Sequence, residues 1–378
     1  MKQFVVQLLY VTLFVLIISG CAKPPKRDIP ITFKDTYPVL FTDANDFNEI
    51  FALERQIILS ERKGFLLGQH PQIIVGTDGR FLIYDRYTTR RCYLLDSSGS
   101  FVREIGSNGR GPGEYIEAYD TQFDRDGKIY IFSTEGKLIR YTSTGEYDNA
   151  TFMLGNPFTQ FQFDAAKNIY MYAIGIVTRK GSTEGTVVKY DPEGKELVRF
   201  APHPKSFTPA FQREGGGIVI DRTGLIYHAS PYEYRIQVFN ENGKLLDSFG
   251  DIPSDWKASE KIPTAEIQRN MRDARKYELS NSTVGRIQLL NNDLILLFRM
   301  TPETISSRKH FMDIYSLNGA AIMLGIVIPY LVSHSFVLND VLYVFLPAGL
   351  NINGRKIEET LIKQNEHNAR IQIYRMKR

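Results

Sequence analysis

The chain has 378 residues, which is enough for one large domain or two ordinary ones. Its net charge of +4 is small for this length and its acidic and basic residues are interspersed, so the composition argues against a nucleic-acid-binding protein. Hydrophobic residues make up 43% and aromatic residues 12%, which supports a substantial core. The 21 Tyr and 24 Phe favour β structure.

The first residues resemble a bacterial export signal. A short basic start precedes the apolar run Phe4–Ile18, which is too short for a membrane span of roughly 20 residues. The run ends in the motif ISGC, which resembles the processing site of bacterial lipoproteins: its small residues admit the peptidase, and the Cys21 thiol accepts the lipid. We therefore expect a signal peptide over 1–20, lipid attachment at Cys21 and a proline-rich tether over 21–45.

These features predict a protein of the cell envelope that is anchored to a membrane by lipid, and the outer membrane is the expected location. The residues after Cys21 lack the acidic cluster that marks surface export in some envelopes, which favours the periplasmic side. The remaining cysteine, Cys92, lies in an apparent strand. With one thiol left, the exported chain has no internal disulfide, and its stability must come from packing.

Six similar segments follow the tether. Each contains a β-like run, a tight polar turn and a second β-like run, and a second hairpin follows in most of them. Turns such as Asp78-Gly79 suit hairpins because Gly adopts positive φ without strain. The first hairpins are Gln72–Asp85, Asp120–Phe132, Thr159–Tyr172, Gly217–Ala229, Gly285–Phe298 and Ser333–Phe345. A four-stranded repeat that occurs six times predicts an all-β fold, a six-bladed β-propeller of four-stranded blades.

The sixth unit is one strand short. Residues Ala369–Tyr374 supply its third strand, and a blade without an outer strand would expose an unpaired edge. The strand-like segment Glu49–Ser60 lies upstream of the first unit and belongs to no other. We predict that this N-terminal strand completes the last blade and closes the ring, so that the propeller spans 46–378.

The fourth unit resembles an NHL repeat. In Gly217–Gly250, the pattern V-x-D-x-x-G-x-I-Y precedes R-I-x-V-F and G-K-x-x-x-x-F-G. With the loop GRGPGEY after the first unit and the lipoprotein motif at the start, the chain resembles the six-bladed propeller lipoproteins of bacteria over about Glu49–Arg378. The resemblance implies the fold and implies no particular activity.

The glycine-rich stretch Arg103–Tyr115 is a candidate phosphate-binding loop. It lacks the Lys-Ser/Thr pair of a P-loop, and a strand rather than a helix follows it. We therefore predict that it connects the outer strand of one blade to the inner strand of the next. Ligand contact by Arg110 or Glu114 is the alternative.

The long connections fall on one face of the predicted propeller. Strands A to D alternate in direction within a blade, so the A–B and C–D turns lie on one face and the B–C and D–A connections on the other. The insertions, about 251–283 and 348–368 among them, are all B–C or D–A connections, and such loops usually carry function. The first contains a predicted helix, about Thr264–Leu279. Together with the preceding Trp256, this helix either covers the channel or packs on the propeller.

Polar residues near the inner ends of the B–C loops are candidate ligand contacts. They are Arg86, Tyr87, Arg90, Arg91, His228, Tyr232, Tyr234, Arg235 and Arg299. Guanidinium and aromatic groups together suit an anionic or carbohydrate-like ligand that stacks on rings. The alternative is that these are solvated cations beside strands.

The sequence therefore predicts a binding module that takes a protein or carbohydrate-like ligand and needs no cofactor. The alternative is a metal-dependent hydrolase or lyase with Ca or Zn at the channel mouth and His70, His228 or His334 as candidate ligands. The chain has no H-E-x-x-H and no G-x-S-x-G motif. Ligands from different blades need not be close in sequence, so the alternative remains open.

Overall fold

The structure, a computed structural model, describes residues 46–61, 64–68, 71–86, 88–155, 158–173, 185–204, 215–258, 279–302, 308–331, 335–348 and 368–377. Several predicted features lie outside these residues: the signal peptide, Cys21 and the tether, Tyr87, residues 264–278 of the helix, and residues 349–367 of the last insertion. Within the described part of the chain, no helix has the length and apolar character that crossing a membrane requires.

The described chain begins with a short helix, α1 (Phe47–Ile50), and continues almost entirely as strands. In order, these are β1 (Phe51–Ile58), β2 (Pro71–Val75), β3 (Phe81–Asp85), β4 (Cys92–Leu95), β5 (Phe101–Ile105), β6 (Ser107–Asn108), β7 (Glu114–Tyr115), β8 (Ala118–Phe123), β9 (Ile129–Ser133), β10 (Lys137–Tyr141), β11 (Tyr147–Met153), β12 (Gln160–Phe163), β13 (Ile169–Tyr172), β14 (Val187–Tyr190), β15 (Glu196–Phe200), β16 (Gly217–Ile220), β17 (Ile226–Ala229), β18 (Ile236–Phe239), β19 (Leu245–Phe249), β20 (Thr283–Leu290), β21 (Leu294–Pro302), β22 (Arg308–Ser316), β23 (Ala321–Val327), β24 (Ser335–Leu338), β25 (Val341–Leu346) and β26 (Arg370–Met376).

Six four-stranded antiparallel sheets confirm the predicted propeller. Strands β2–β5, β8–β11, β12–β15, β16–β19 and β20–β23 form blades 1 to 5, and β24–β26 with β1 form blade 6. The first strand of each blade lies innermost, and these inner strands contact one another in succession, with β24 meeting β2. Six clusters of buried apolar side chains fill the seams between adjacent blades. The core of this fold therefore lies between sheets, and every blade depends on two neighbours.

The hairpin turns repeat one hydrogen-bonded motif. In the turn after β8, Asp124 Oδ1 accepts hydrogen bonds from the amides of Asp126 and Lys128, both at 2.9 Å. Gly127, at φ +76°, donates its amide to the Asp124 carbonyl. The Asp side chain satisfies the free amides and the Gly takes the positive φ, so the pattern D-x-x-G specifies the hairpin locally.

The ring closes as the sequence predicts. Strand β1 pairs antiparallel with β26, with Phe51 opposite Met376. Helix α1 reinforces this closure because the Phe47 ring stacks on Phe51 and meets Tyr330 and Tyr374 edge-on, each at 5.0 to 5.5 Å between centroids. The N-terminal strand thus completes the last blade beside the C-terminus.

The glycine-rich loop connects two blades, as predicted. It carries the two-residue parallel pair β6–β7 between β5 and β8. Within it, Glu114 Oε2 accepts the amide of Gly111 at 2.8 Å, and the buried Tyr115 hydroxyl donates to the Ile105 carbonyl at 2.9 Å. The loop is folded on its own polar groups, which is what a turn between blades requires.

Candidate functional site: the channel mouth

The central channel opens into a cavity of about 350 Å³, here called the mouth cavity. Its walls come from the starts of inner strands, the ends of second strands, the start of the third strand of blade 5, and the B–C and D–A connections of blades 1 to 5, together with the connection into blade 6. It therefore lies on the face that carries the long connections. Its charged and imidazole lining residues within the described chain are Arg86, Asp120, Arg286, Arg308 and His310.

Asp120 links three blades at the wall of the mouth cavity. Its carboxylate accepts hydrogen bonds from the Tyr84 hydroxyl of blade 1 at 3.2 Å and from the Phe161 amide of blade 3 at 2.9 Å. The side chain is 3% exposed. Burial raises the pKa of Asp120 to about 6, against the opposing effects of the Phe161 amide and the positive charge of Arg286. The cavity thus contains a carboxylate that titrates near neutral pH.

Two further inner-strand side chains bridge to the next blade. Arg286 Nη1 on β20 donates to the Ser335 carbonyl of blade 6 at 2.8 Å. Gln160 Oε1 on β12 accepts the Ile218 amide of blade 4 at 3.0 Å. Polar groups near the starts of the inner strands therefore serve both as cavity wall and as ties between neighbouring sheets.

Arg86 is the described candidate from the sequence that lines the mouth cavity. Its Nε lies 3.1 Å from Glu117 Oε1, and its guanidinium carbon lies 3.7 Å from the centroid of the Tyr119 ring. An ion pair on one side and a cation–π contact on the other fix the group at the cavity rim.

Blade 5 supplies the opposite wall through Arg308 and His310, both on β22. Burial, and next the charge of Arg308, lower the pKa of His310 to about 4, so this imidazole is neutral at neutral pH. Its Nδ1 is buried and has no hydrogen-bond partner within the described chain. A polar atom of this kind at a cavity wall marks a place where a ligand gains a hydrogen bond.

A glycine pair completes the wall between blades 3 and 4. Gly216 has φ +70°, and a Cβ there would overlap the Tyr172 hydroxyl and lie 2.5 Å from the Ala229 carbonyl oxygen. The Tyr172 hydroxyl donates to the Gly215 carbonyl at 3.2 Å. Glycine is required here because the backbone runs against the ring that forms the cavity wall.

Two other predicted site residues, Tyr234 and Arg299, meet at the seam of blades 4 and 5 in a polar group that is buried except at Asp255, whose side chain is 43% exposed. We call this group the Arg299 cluster; its members are Tyr234, Asp255, Arg299, Asp313 and Tyr315. Arg299 is 2% exposed: its Nε donates to Asp313 at 2.7 Å, and its Nη1 donates to both carboxylate oxygens of Asp255 at 2.9 Å. The Tyr234 hydroxyl donates to Asp313 at 2.7 Å and accepts from Tyr315 at 2.9 Å. Each of the five side chains thus hydrogen-bonds to another member of the cluster.

The Arg299 cluster holds the beginning of the long insertion between blades 4 and 5. Asp255 belongs to that insertion, and the next residue, Trp256, packs on the Tyr234 ring at 5.3 Å between centroids. The Lys257 amide donates to the Ser282 hydroxyl at 2.8 Å, which joins both ends of the insertion. Of the two alternatives predicted for Trp256, the structure shows packing on the propeller.

The remaining described candidates lie away from the mouth cavity. His228 is 1% exposed, with Thr186 Oγ1 at 3.2 Å and Gln237 Oε1 at 3.1 Å from its ring nitrogens, and burial lowers its pKa to about 4. Tyr232 is buried in the apolar seam between blades 3 and 4.

The basic residues before the third strands face outward. Arg91 pairs with Glu104 on β5 at 2.8 Å, and Arg90 is exposed with φ +56°. Arg235 donates to the Ser248 hydroxyl on β19 at 3.0 Å and borders a second cavity of about 280 Å³ beside His203. The structure therefore does not bring these three arginines to the channel.

Most residues of the mouth cavity were not predicted from the sequence. Tyr84, Asp120, Arg286, Arg308 and His310 were not among the candidates. A signal was present, because a polar residue lies near the start of the inner strand in five repeats. These residues are Gln72, Asp120, Gln160, Arg286 and Ser335. Alignment of the repeats on their hairpin turns would have shown this ring.

A metal centre was the alternative prediction. Among the residues that the structure describes, no three His, Cys, Asp or Glu side chains are grouped as metal ligands. His70 and His334, two of the histidines considered, lie outside those residues. The hydrolase or lyase function stays a prediction.

Comparison with known proteins agrees with this architecture. The sequence matches a family described as a 6-bladed beta-propeller over residues 32–291. No curated protein is similar enough in sequence to count as a relative. Among solved structures, a protein of Bacteroides fragilis provisionally named an exported protein is 14% identical, with a TM-score of 0.64 over 89% of this chain and 98% of that one. A member of the DUF4221 family from Bacteroides vulgatus is 10% identical, with a TM-score of 0.61 over 86% and 98%. At these identities the likeness concerns the fold.

Proposed function

Since the chain belongs to the DUF5128 family of six-bladed β-propellers, we propose that it is a lipid-anchored binding module of the cell envelope that takes a small polar ligand into its mouth cavity. The observation that carries this proposal is the cavity of about 350 Å³, whose polar side chains converge from four blades, blades 1, 2, 3 and 5. Ligand sites are typically concave, about 300–1,000 Å³ in volume, and contain a few convergent polar groups.

A carbohydrate-like ligand and a protein partner were both expected from the sequence. The concave shape and small volume of the mouth cavity favour the small ligand, because protein interfaces bury broad surfaces of about 800 Å² per partner. A protein partner would then contact the long connections that surround the mouth cavity on the same face.

The proposed location rests on the N-terminal sequence. The apolar run Phe4–Ile18 and the ISGC motif at Cys21 support export and lipid attachment. The similar protein from Bacteroides fragilis, provisionally named as exported, is in keeping with a location outside the cytoplasm.

The anchor is tested with a Cys21→Ser variant in the native host. We expect wild-type protein to incorporate radiolabelled palmitate and to fractionate with membranes, and the variant to lose both properties. A variant that still carries label and stays in the membrane fraction would contradict lipid attachment at Cys21. The matched control is Cys92→Ser, because Cys92 is buried in blade 1 and should leave anchoring unchanged.

The mouth cavity is tested by filling it. Leu331 lines the cavity and is partly exposed, so Leu331→Trp should occupy the space with little strain on the core. The matched control is Leu246→Trp on the outer strand β19, where the side chain is 41% exposed. Full-length protein in detergent is incubated with the small-molecule fraction of an envelope extract and examined by native mass spectrometry. We expect a bound mass on the wild type and the control that is absent from Leu331→Trp; equal capture by all three would refute the cavity as the site.

A further inference from the structure

The second cavity, of about 280 Å³, lies at the seam between blades 3 and 4. Its described walls come from the connection that follows β15, from the B–C connection of blade 4 and from the start of β18. It therefore lies on the same face as the mouth cavity. The described linings of the two cavities share no residue, so a ligand bound here would occupy a separate site.

Two buried tyrosines fix the B–C connection of blade 4 beside this cavity. Tyr232 is buried in the seam between blades 3 and 4, and Tyr234 bonds to Asp313 in the Arg299 cluster. Glu233 and Arg235 alternate with these tyrosines, line the cavity and are partly or fully exposed. The Arg235 amide donates to the Glu233 carbonyl at 3.0 Å. The sequence Y-E-Y-R thus holds an acidic and a basic side chain on a fixed turn, which lowers the entropic cost of binding a ligand.

The acidic and the basic side chain of the second cavity do not neutralise each other. Within the described chain, the Glu233 carboxylate makes no ion pair or hydrogen bond. Arg235 Nη1 donates to the Ser248 hydroxyl at 3.0 Å, which leaves Nε and Nη2 as donors. Burial lowers the pKa of His203, which also lines the cavity, to about 4, so this imidazole is neutral at neutral pH. The described lining therefore presents one anion and one cation.

The neutral lining residues add a hydrogen-bond donor and apolar surface. Gln237 Oε1 lies 3.1 Å from Nδ1 of the buried His228, which leaves the Gln237 Nε2 group as a donor. Pro202 and Pro204 contribute ring carbons to the wall. A volume of about 280 Å³ is at the lower end of the range for ligand sites, which favours a small molecule.

We propose that the second cavity binds a free α-amino acid, whose carboxylate pairs with Arg235 and whose ammonium group pairs with Glu233. A guanidinium group binds a carboxylate through two parallel hydrogen bonds, and a carboxylate accepts hydrogen bonds from an ammonium group. A ligand with a single charge would satisfy one of these side chains and be repelled by the other. The two prolines suit the side chain of the amino acid. This inference goes beyond the proposed function, because it concerns a different cavity.

The test measures binding of the common L-amino acids to full-length protein in detergent by calorimetry at neutral pH. The tightest binder is compared with its methyl ester, which lacks the carboxylate charge, and with its N-acetyl form, which lacks the ammonium charge. The variants are Glu233→Gln and Arg235→Gln. The matched controls are Glu241→Gln and Arg222→Gln, at exposed residues in hairpin turns on the opposite face. Unfolding midpoints confirm that each variant is folded.

We expect the free amino acid to bind at least about tenfold more tightly than either derivative, because each derivative loses one charge-assisted contact. Glu233→Gln should remove the preference for the amino acid over its N-acetyl form. Arg235→Gln should remove the preference over the methyl ester. Both control variants should behave as the wild type does.

Three results would overturn the inference. One is equal binding of the amino acid and its two derivatives, or a preference that survives both substitutions. Another is the absence of amino-acid binding at millimolar concentration. The third is binding that Leu331→Trp abolishes, which would place the amino acid in the mouth cavity and leave the proposed function standing.

Discussion

Arg308 and Arg299 lie on neighbouring strands of blade 5, and their surroundings differ completely. Arg308 is partly exposed at the wall of the mouth cavity, whereas Arg299 is 2% exposed between two carboxylates. Asp313, which pairs with Arg299, is fully buried, and no carboxylate among the described lining residues other than Asp120 faces the cavity. Basic residues on this face therefore occupy two kinds of place: Arg299 is sealed in a seam and fixes a loop to the propeller, and Arg308 lines the wall of the mouth cavity.

A substitution that breaks the Arg299 cluster should lower the free energy of unfolding more than the other variants proposed here. Arg299→Ala leaves Asp313 buried without its cation and releases Asp255, so we expect a loss of about 3–5 kcal/mol in the free energy of unfolding. Arg308→Ala should cost no more than about 1 kcal/mol, because its site is partly exposed. Urea denaturation followed by circular dichroism measures both values. Similar losses for the two variants would contradict the distinction between a sealed and an open arginine.

Two histidines extend the comparison to titratable groups. His228 is sealed and His310 borders the cavity, and both have pKa values lowered to about 4. Above pH 6.5 His228 is neutral in the folded and unfolded states and adds no pH dependence. Between pH 6.5 and about 4 the unfolded chain binds a proton that the folded chain does not, so stability falls by up to about 3 kcal/mol.

The contribution of His228 is isolated with His228→Gln, which keeps a polar group between Thr186 and Gln237. Asp120, with its pKa raised to about 6, opposes the trend by stabilising the folded state as the pH falls from 6 to about 4. Asp120 makes this contribution equally in the wild type and in His228→Gln. The difference in unfolding free energy between them, measured from pH 7.5 to pH 4.5, should therefore grow in favour of the variant as the pH falls. A constant difference would show that His228 is not held neutral.

A pair of glycines gives a smaller and more local test of the cavity wall. Gly216→Ala forces a methyl group against the Tyr172 hydroxyl and the Ala229 carbonyl at φ +70°, so we expect a loss of about 2–3 kcal/mol. Gly224 has a similar φ of +83°, but a Cβ there would have nothing within 4 Å. Gly224→Ala should therefore lower the free energy of unfolding only by about 1 kcal/mol, which is the cost of holding an alanine in the left-handed conformation. Equal thermal shifts for the two variants would show that Tyr172 does not pack as the structure has it.

The fold could be predicted from the sequence because its information is local. Each D-x-x-G turn sets one hairpin, and the recurrence of the hairpin sets the number of blades. Ring closure followed from counting strands, since Ala369–Tyr374 left the last blade one strand short and Glu49–Ser60 had no other place.

The site could be predicted only in part because it depends on packing between blades. Arg86 was predicted as a site residue and lines the cavity. Arg299, Tyr234 and His228 were predicted with it, but they prove to be buried and hydrogen-bonded to other side chains of the protein. Asp120 was missed because it looks like an ordinary strand residue until neighbouring blades enclose it. Burial of this kind is set by contacts far apart in sequence, which local patterns do not contain.

The central claim is that the mouth cavity is reached by solvent while Arg299 is sealed in the seam between blades 4 and 5. Its most direct test is modification of arginines with phenylglyoxal in the folded protein, mapped by peptide mass spectrometry. We expect Arg308 to react in the folded protein and Arg299 to react only after unfolding. Reaction of Arg299 as fast as Arg308 would contradict the claim.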